Sequence, residues 1–110
     1  MPYRVFLTDD AARDLEEIYN YISVHDAAKK ADYVLDKLES SFNSLSEFPD
    51  RGSYPKELLS LGIRDYREIY FKPYRIVYRV ITQQVYIYFV ADGRRDLQAL
   101  LEFRLLGSTI

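Results

Sequence analysis

The chain has no cysteine among its 110 residues, only one histidine, and no long apolar run. The absence of cysteine excludes a disulfide framework and a thiolate metal site, and it favours a reducing compartment such as the cytoplasm. The histidine, His25, lies in an expected turn, and we interpret it as a solvated residue. No stretch approaches the roughly 20 apolar residues that span a bilayer, and the N-terminus lacks a signal-peptide pattern. We therefore expect a cytoplasmic protein without a membrane anchor, bound metal or cofactor.

Length and charge narrow the class further. A chain of this size is expected to form one domain over residues 1–110. Its formal net charge of −2 argues against a general nucleic-acid binder. The charge is uneven, because residues 1–63 carry 7 Lys and Arg against 12 Asp and Glu, whereas residues 64–110 carry 8 against 5. The basic second half can steer an acidic partner to one side of the molecule.

The first half predicts a strand followed by a helical hairpin. Tyr3 to Thr8 alternates like a short strand, and Asp9-Asp10 offers a capping carboxylate for a helix. Asp26 is expected to cap a second helix, which is predicted to run as far as Phe48-Pro49. Apolar residues recur at helical spacing in both segments, at Leu15, Ile18, Tyr19, Ile22 and at Ala31, Val34, Leu35, Leu38, Phe42, Leu45.

The second half predicts a three-strand antiparallel meander. After a loop, a helical turn over residues 56–62 is expected to close at Gly62. Residues 66–96 then hold three runs rich in Tyr, Val, Ile and Phe, separated at Lys72-Pro73 and at residues 82–84. Alternate residues of the middle run are apolar on both faces, so we expect both faces of the sheet to be covered.

A C-terminal helix is predicted to follow the Asp92-Gly93 turn and to end at Gly107. Its apolar stripe either packs on the open face of the sheet or awaits another chain, and the isolated protein is expected to expose part of it and to self-associate. The stripe consists of Leu97, Leu100, Leu101 and Leu105. The fold class is therefore α+β, a small and mostly antiparallel sheet with an N-terminal strand, a helical hairpin on one face, the meander and a C-terminal helix.

The motifs in the meander resemble those of the RelE/ParE family, the toxins of bacterial type II toxin-antitoxin pairs. They are Tyr66-Arg67-Glu68-Ile69, Tyr74-Arg75-Ile76-Val77-Tyr78-Arg79-Val80 and Asp92-Gly93-Arg94-Arg95-Asp96-Leu97. The order of elements matches that family over nearly the whole chain. The resemblance implies a toxin that causes growth arrest and is held inactive by a ParD/RelB-like antitoxin, whose acidic arm folds along it.

The family divides by target, and the residues favour one branch. In RelE-like members, which cut mRNA in the ribosome without metal, cations hold the phosphate while other groups move protons. Carried onto this chain, those positions fall at Arg67, Ile69, Arg75, Arg95 and about Leu101, so two of the five are apolar. The resemblance therefore points to the ParE branch, whose members inhibit DNA gyrase by binding. A ribosome-dependent mRNA endoribonuclease that uses Arg67, Arg75 and Arg95 is the alternative.

Partner contacts are expected at the arginines of the meander and along the C-terminal stripe. The predicted partner-binding residues are Arg67, Arg75, Arg95, Leu97, Leu100, Leu101 and Leu105. For Arg79 and Arg94 we prefer a structural role, in which each pairs with a carboxylate or a tyrosine hydroxyl.

Overall fold

The computed structural model describes residues 2–107, which form four strands and four helices. In chain order they are β1 (Arg4–Leu7), α1 (Asp9–His25), α2 (Ala28–Ser44), α3 (Lys56–Leu59), β2 (Arg67–Phe71), β3 (Tyr74–Ile81), β4 (Gln84–Asp92) and α4 (Gln98–Leu106). The strands make one sheet in the order β1-β4-β3-β2. The meander is antiparallel as predicted, whereas β1 pairs with β4 in parallel, so the sheet is mixed. None of the helices in the described range is long and apolar enough to cross a membrane.

The helical hairpin is confirmed, but two of its predicted caps are wrong. Thr8 precedes α1 and its hydroxyl accepts from the Ala11 amide at 3.2 Å, so the acidic pair Asp9 and Asp10 occupies the first turn instead. Carboxylates are still favourable there because they face the positive end of the helix dipole. Ala27, with no capping side chain, takes the place that was predicted for Asp26. The second helix also ends at Ser44, short of the predicted end at Phe48-Pro49, and its chain continues as a turn.

The two faces of the sheet carry separate cores. The hairpin covers one face, on which Ile76 and Tyr78 of β3 are fully buried. The opposite face carries Val77 and is covered by α3 and α4. The hairpin therefore covers one face, and α3 and α4 cover part of the other, as the alternation in β3 predicted. The second core contains Leu58, Tyr66, Val77, Phe89, Ala91, Leu97 and Leu101.

A bulge in β4 interrupts the alternation of its side chains between the two faces of the sheet. Val77 pairs with Phe89 but Tyr78 pairs with Ile87, so Tyr88 is an extra residue in β4. Tyr88 and Phe89 consequently both pack towards the second core. The bulge ends a strict alternation that the sequence alone would have continued to the end of the strand.

The loop before α3 is held close to the sheet. The Tyr78 hydroxyl donates to the Pro49 carbonyl at 2.6 Å and accepts from the Gly52 amide at 3.1 Å. A Cβ at residue 52 would lie 2.6 Å from that hydroxyl oxygen and 2.7 Å from the Glu68 carbonyl oxygen, so the close approach requires glycine. The predicted helical turn also closes at Gly62, which has a φ of 77°.

Candidate functional site

Arg75 lies at the centre of a buried ionic cluster. Its side chain projects from β3 towards α3 and is 5% exposed. Its Nη1 and Nη2 donate to the two carboxylate oxygens of Glu57 at 2.6 and 2.8 Å, and its Nε donates to Glu68 Oε1 at 2.8 Å. The two carboxylates accept from four of the five N–H groups of this guanidinium, which leaves it poorly placed to bind a phosphate.

The three side chains of this cluster come from α3, β2 and β3. Pro55 precedes α3, a position at which proline is compatible with the start of a helix. Glu57 lies in the single turn of α3, above β3. Glu68 comes from β2, the neighbouring strand, where it lies diagonally across from Arg75. The pairing of Arg75 with Glu68 is a structural role of the kind that we preferred for Arg79 and Arg94. The contact with Glu57 was not anticipated, because the local sequence of α3 does not show which strand residue it will face.

Both carboxylates of the cluster are engaged in hydrogen bonds with Arg75. Hydrogen bonds from Arg75 hold the pKa of Glu57 below its ordinary value, and the pKa of Arg75 is raised by the same bonds. The Tyr70 hydroxyl donates to Glu68 Oε2 at 2.8 Å. Burial and the adjacent Glu68 raise the pKa of Tyr70, which makes its phenolate a rare species at neutral pH.

Arg67 contacts the loop before α3 and is not part of the ionic cluster around Arg75. Its Nη1 donates to the Gly52 carbonyl at 2.8 Å, and its guanidinium carbon lies 4.7 Å from the centre of the Tyr54 ring. These contacts hold the loop against the edge of the sheet. The Arg67 side chain is 29% exposed, and its Nε lies 4.0 Å from Asp50 Oδ1.

Arg95 is the exposed member of the predicted set. It follows the Gly93 turn, and no ion pair within residues 2–107 includes it. It shares an open cavity of about 580 Å³ with Lys56, Gln98 and the buried Arg75. The structure therefore brings Arg75 and Arg95 to one cavity and leaves Arg67 outside it.

The structural roles preferred for Arg94 and Arg79 are confirmed. Arg94 donates to both carboxylate oxygens of Asp92, at 3.0 and 2.6 Å, which lowers the pKa of Asp92. Arg79 lies 3.5 Å from Asp65, with its guanidinium over the ring of Tyr66.

The leucine stripe of α4 packs on the sheet. Leu97 and Leu101 are 1% and 0% exposed, and Leu100 and Leu105 are partly buried against the same core. Part of the stripe is thus exposed, as expected, at Leu100 and Leu105, whereas Leu97 and Leu101 are covered by the open face of the sheet. Contact of the four leucines with a partner stays a prediction.

A second apolar row on α4 was missed. Phe103 and Leu106 are 61% and 45% exposed, and Ala99 is also on the solvent side. Their spacing of i, i+4 and i+7 is a helical stripe, so the signal was present in the sequence but was hidden by the stronger leucine pattern. This outward row leaves an apolar face of α4 exposed to solvent.

Arg104 fastens α4 to both α1 and β4. It forms an ion pair with Asp14 of α1, and its Nη1 donates to the carbonyl of the bulge residue Tyr88 at 2.9 Å. The other carboxylate oxygen of Asp14 accepts from the Val90 amide at 3.0 Å. Burial raises the pKa of Asp14, although Arg104 and the Val90 amide act to lower it. The pair joins residues 90 positions apart and has no pattern by which sequence reasoning could find it.

Comparison with known proteins gives consistent matches. Residues 5–97 match the family model described as ParE toxin of type II toxin-antitoxin system, parDE. Toxin ParE3 from Caulobacter vibrioides is 32% identical over 98 residues, which cover 89% of this chain and 94% of that protein.

Two solved structures are similar in fold. One is a chain of the chromosomal ParDE toxin-antitoxin system from P. aeruginosa, with a TM-score of 0.69, 20% identity, and coverage of 82% of this chain and 95% of that chain. The other is a chain of the RelBE2 toxin-antitoxin complex from Mycobacterium tuberculosis, with a TM-score of 0.55, 26% identity, and coverage of 84% and 92%.

Proposed function

The chain belongs to the ParE toxin family of type II toxin-antitoxin systems, and on that premise we propose that it inhibits DNA gyrase by binding, without bond chemistry of its own. The observation that carries this proposal is the state of Arg75. At the position where the resemblance places a phosphate-binding arginine, the guanidinium is buried and neutralised by Glu57 and Glu68.

The residues around Arg75 are also poorly suited to cleaving RNA, because the two glutamates are already bonded to the guanidinium. Attack by a 2′-hydroxyl needs a base, and its leaving oxygen needs an acid. Arginine is effectively never deprotonated, and burial with an adjacent carboxylate raises the pKa of Tyr70. Leu101, where the resemblance places a tyrosine, is fully buried in the second core. These features support a binding-type toxin.

We also propose that a cognate ParD/RelB-like antitoxin neutralises this protein as part of a heteromeric complex. The similar chains from P. aeruginosa and M. tuberculosis come from toxin-antitoxin systems. This chain offers exposed apolar side chains at Phe103 and Leu106, and its second half is basic. An acidic segment with apolar residues at helical spacing fits both features, because such a segment can fold as it binds.

The ribosome-dependent endoribonuclease remains the second candidate because of the cavity beside Arg75. Arg95 and Lys56 line that cavity together with the guanidinium, which is a suitable set of cations for a phosphate if Glu57 were displaced. A nuclease of this kind would need α3 to move away from the sheet on the ribosome.

Supercoiling of relaxed plasmid by purified gyrase tests the proposal. We expect this protein to inhibit supercoiling and the antitoxin to restore it.

An assay of mRNA cleavage with Arg75→Lys and Arg95→Ala distinguishes the two hypotheses. A nuclease loses cleavage with either change, whereas a binding toxin has no cleavage to lose. Cleavage of mRNA in a translating ribosome by the unmodified protein, together with unimpaired gyrase, would overturn the proposal.

A further inference from the structure

One end of the sheet is left uncovered on the face that carries the second core. The helix α4 reaches only as far as the bulge, where Arg104 bonds the Tyr88 carbonyl and the Leu105 carbonyl accepts from the Tyr66 hydroxyl at 3.2 Å. Beyond the bulge, Phe6 of β1 and Tyr86 of β4 project on this same side, since their neighbours Val5, Val85 and Ile87 pack into the first core. Phe6 and Tyr86 belong to neither core.

The uncovered end carries a row of aromatic rings. Phe6 and Tyr86 are register partners in adjacent strands and stack with their centroids 5.4 Å apart and their planes 22° from parallel. The ring centroid of Tyr88 lies 6.5 Å from that of Tyr86. Because β1 is the edge strand, the far side of Phe6 faces no further strand, and 38% of the residue is exposed. A flat ring can therefore extend the stack at Phe6.

Arginines flank the row on two sides. Arg4 lies two residues before Phe6 on the same face and is exposed. Arg79 is the register partner of Tyr86 on the opposite side, and 38% of its side chain is exposed. The outward residues of β1, β3 and β4 at this end include no carboxylate, and Asp65, which is itself half exposed, approaches only Arg79. An exposed pair of that kind contributes little, so a phosphate can compete for Arg79.

We propose that Arg4, Phe6, Tyr86 and Arg79 form a binding site for single-stranded nucleic acid, in which a base stacks on Phe6 and phosphates pair with the arginines. Aromatic rings on an open sheet with flanking cations are suited to unpaired bases, whereas the bases of a duplex are already stacked on one another. The site lies away from Arg75 and Arg95. It goes beyond gyrase inhibition and does not depend on it.

The overall charge sets the strength of this binding. With a net charge of −2, the protein as a whole attracts nucleic acid little, so binding depends on the local pair of arginines and is weak and sensitive to salt. A single strand of about 12 nucleotides is within the size that such sites occupy.

Tryptophan fluorescence provides a direct probe, because the chain contains no tryptophan. Phe6→Trp places the only indole at the open end of the stack, and Phe103→Trp places it on α4 as a matched exposed control. We expect oligothymidylate of about 12 nucleotides to quench the first protein and not the second. Oligouridylate of the same length distinguishes RNA from DNA as the preferred strand. Equal quenching of the two proteins, or none in either, would overturn the proposal.

Anisotropy of a labelled oligothymidylate tests the arginines independently. Arg4→Ala should weaken binding and make the slope of log affinity against log salt shallower by about 0.7, the value for one phosphate contact on a single strand. Arg13→Ala removes an exposed arginine from α1 and serves as the charge-matched control. If Arg13→Ala weakens binding as much as Arg4→Ala, the attraction is unspecific and no such site exists.

Discussion

At the scale of single residues, the main feature is an arginine enclosed by two glutamates. Arg75, Glu57 and Glu68 are all less than a tenth exposed, and within the described residues no buried side-chain nitrogen or oxygen lacks a hydrogen-bond partner. Complete pairing makes the burial of three charges tolerable, and it makes the loss of any one of them costly.

Arg75→Ala should lower the free energy of unfolding by about 3 to 5 kcal/mol, because it leaves Glu57 and Glu68 buried without a counter-charge. Urea denaturation measures this. Arg95→Ala, an exposed arginine beside the same cavity, is the control and should change the value by less than about 0.5 kcal/mol. Similar effects of the two substitutions would show that Arg75 is solvated in solution.

Glu57 makes stability depend on acid pH. Its pKa is lower in the folded protein than its ordinary value of 4.5, so the unfolded chain binds more protons and the free energy of unfolding falls as pH falls through this range. Glu57→Gln should therefore cost most near neutral pH and progressively less below about pH 4.5. The pKa of Asp14 is raised, so this residue changes the free energy of unfolding with pH in the opposite direction. Its contribution is the same in the unmodified protein and in the Glu57→Gln variant, so it cancels in the difference between them.

Urea denaturation of the two proteins between neutral and acid pH gives the difference between their free energies of unfolding. A difference that stays constant across this range would contradict the assignment of Glu57 as an ionised partner of Arg75.

At the scale of elements, α4 is attached by its apolar stripe and by the Arg104 contacts. Asp14→Ala removes the partner of Arg104 and also the acceptor of the Val90 amide. We expect a loss of about 2 kcal/mol or more and faster hydrogen exchange at Val90 and along α4. Asp14→Asn keeps an acceptor oxygen for the amide and should be intermediate.

Asp10→Ala is the control for Asp14→Ala. Asp10 pairs with Arg13 on the exposed side of α1, so its loss should change stability by less than about 0.5 kcal/mol. If Asp14→Ala leaves hydrogen exchange in α4 unchanged, the leucine stripe alone holds this helix on the sheet.

The outward row of α4 is the element to test for antitoxin contact. Phe103→Ser removes the largest exposed apolar side chain of α4 and should weaken antitoxin binding roughly tenfold or more, as loss of an aromatic anchor commonly does. Calorimetric titration measures the affinity. Tyr21→Ser, on the exposed side of α1, is the matched control, and an equal loss with both would argue against a specific role for α4.

The elements were largely predictable from the sequence, and their tertiary pairings were not. Periodicity located the hairpin helices, the meander and the leucine stripe, because alternation and helical spacing are local properties. The parallel pairing of β1 with β4, the bulge at Tyr88 and the enclosure of Arg75 by Glu57 depend on residues distant along the chain. For the same reason, the sequence identified Arg75 as a candidate site residue but did not reveal its burial.

At the scale of the whole molecule, the structure is a sheet with a thick layer of helices on one side and partial cover on the other. The hairpin covers most of one face, whereas α3 and α4 leave exposed apolar residues on α4 and at the β1 end of the sheet. Surfaces of this kind are suited to binding, and the buried state of Arg75 leaves little provision for catalysis. The central claim is accordingly that the toxin acts by binding a target and not by turnover.

Accumulation of linear plasmid DNA in a gyrase reaction, revealed after the enzyme is denatured and digested, tests that claim most directly. Increasing amounts of this protein are added to a fixed amount of gyrase and plasmid. If the protein holds gyrase in its cleaved-DNA state, linear DNA appears and saturates at an amount of toxin comparable to that of gyrase. No linear DNA at any ratio, from protein that cuts translated mRNA at a small fraction of the ribosome concentration, would contradict the claim and establish turnover instead.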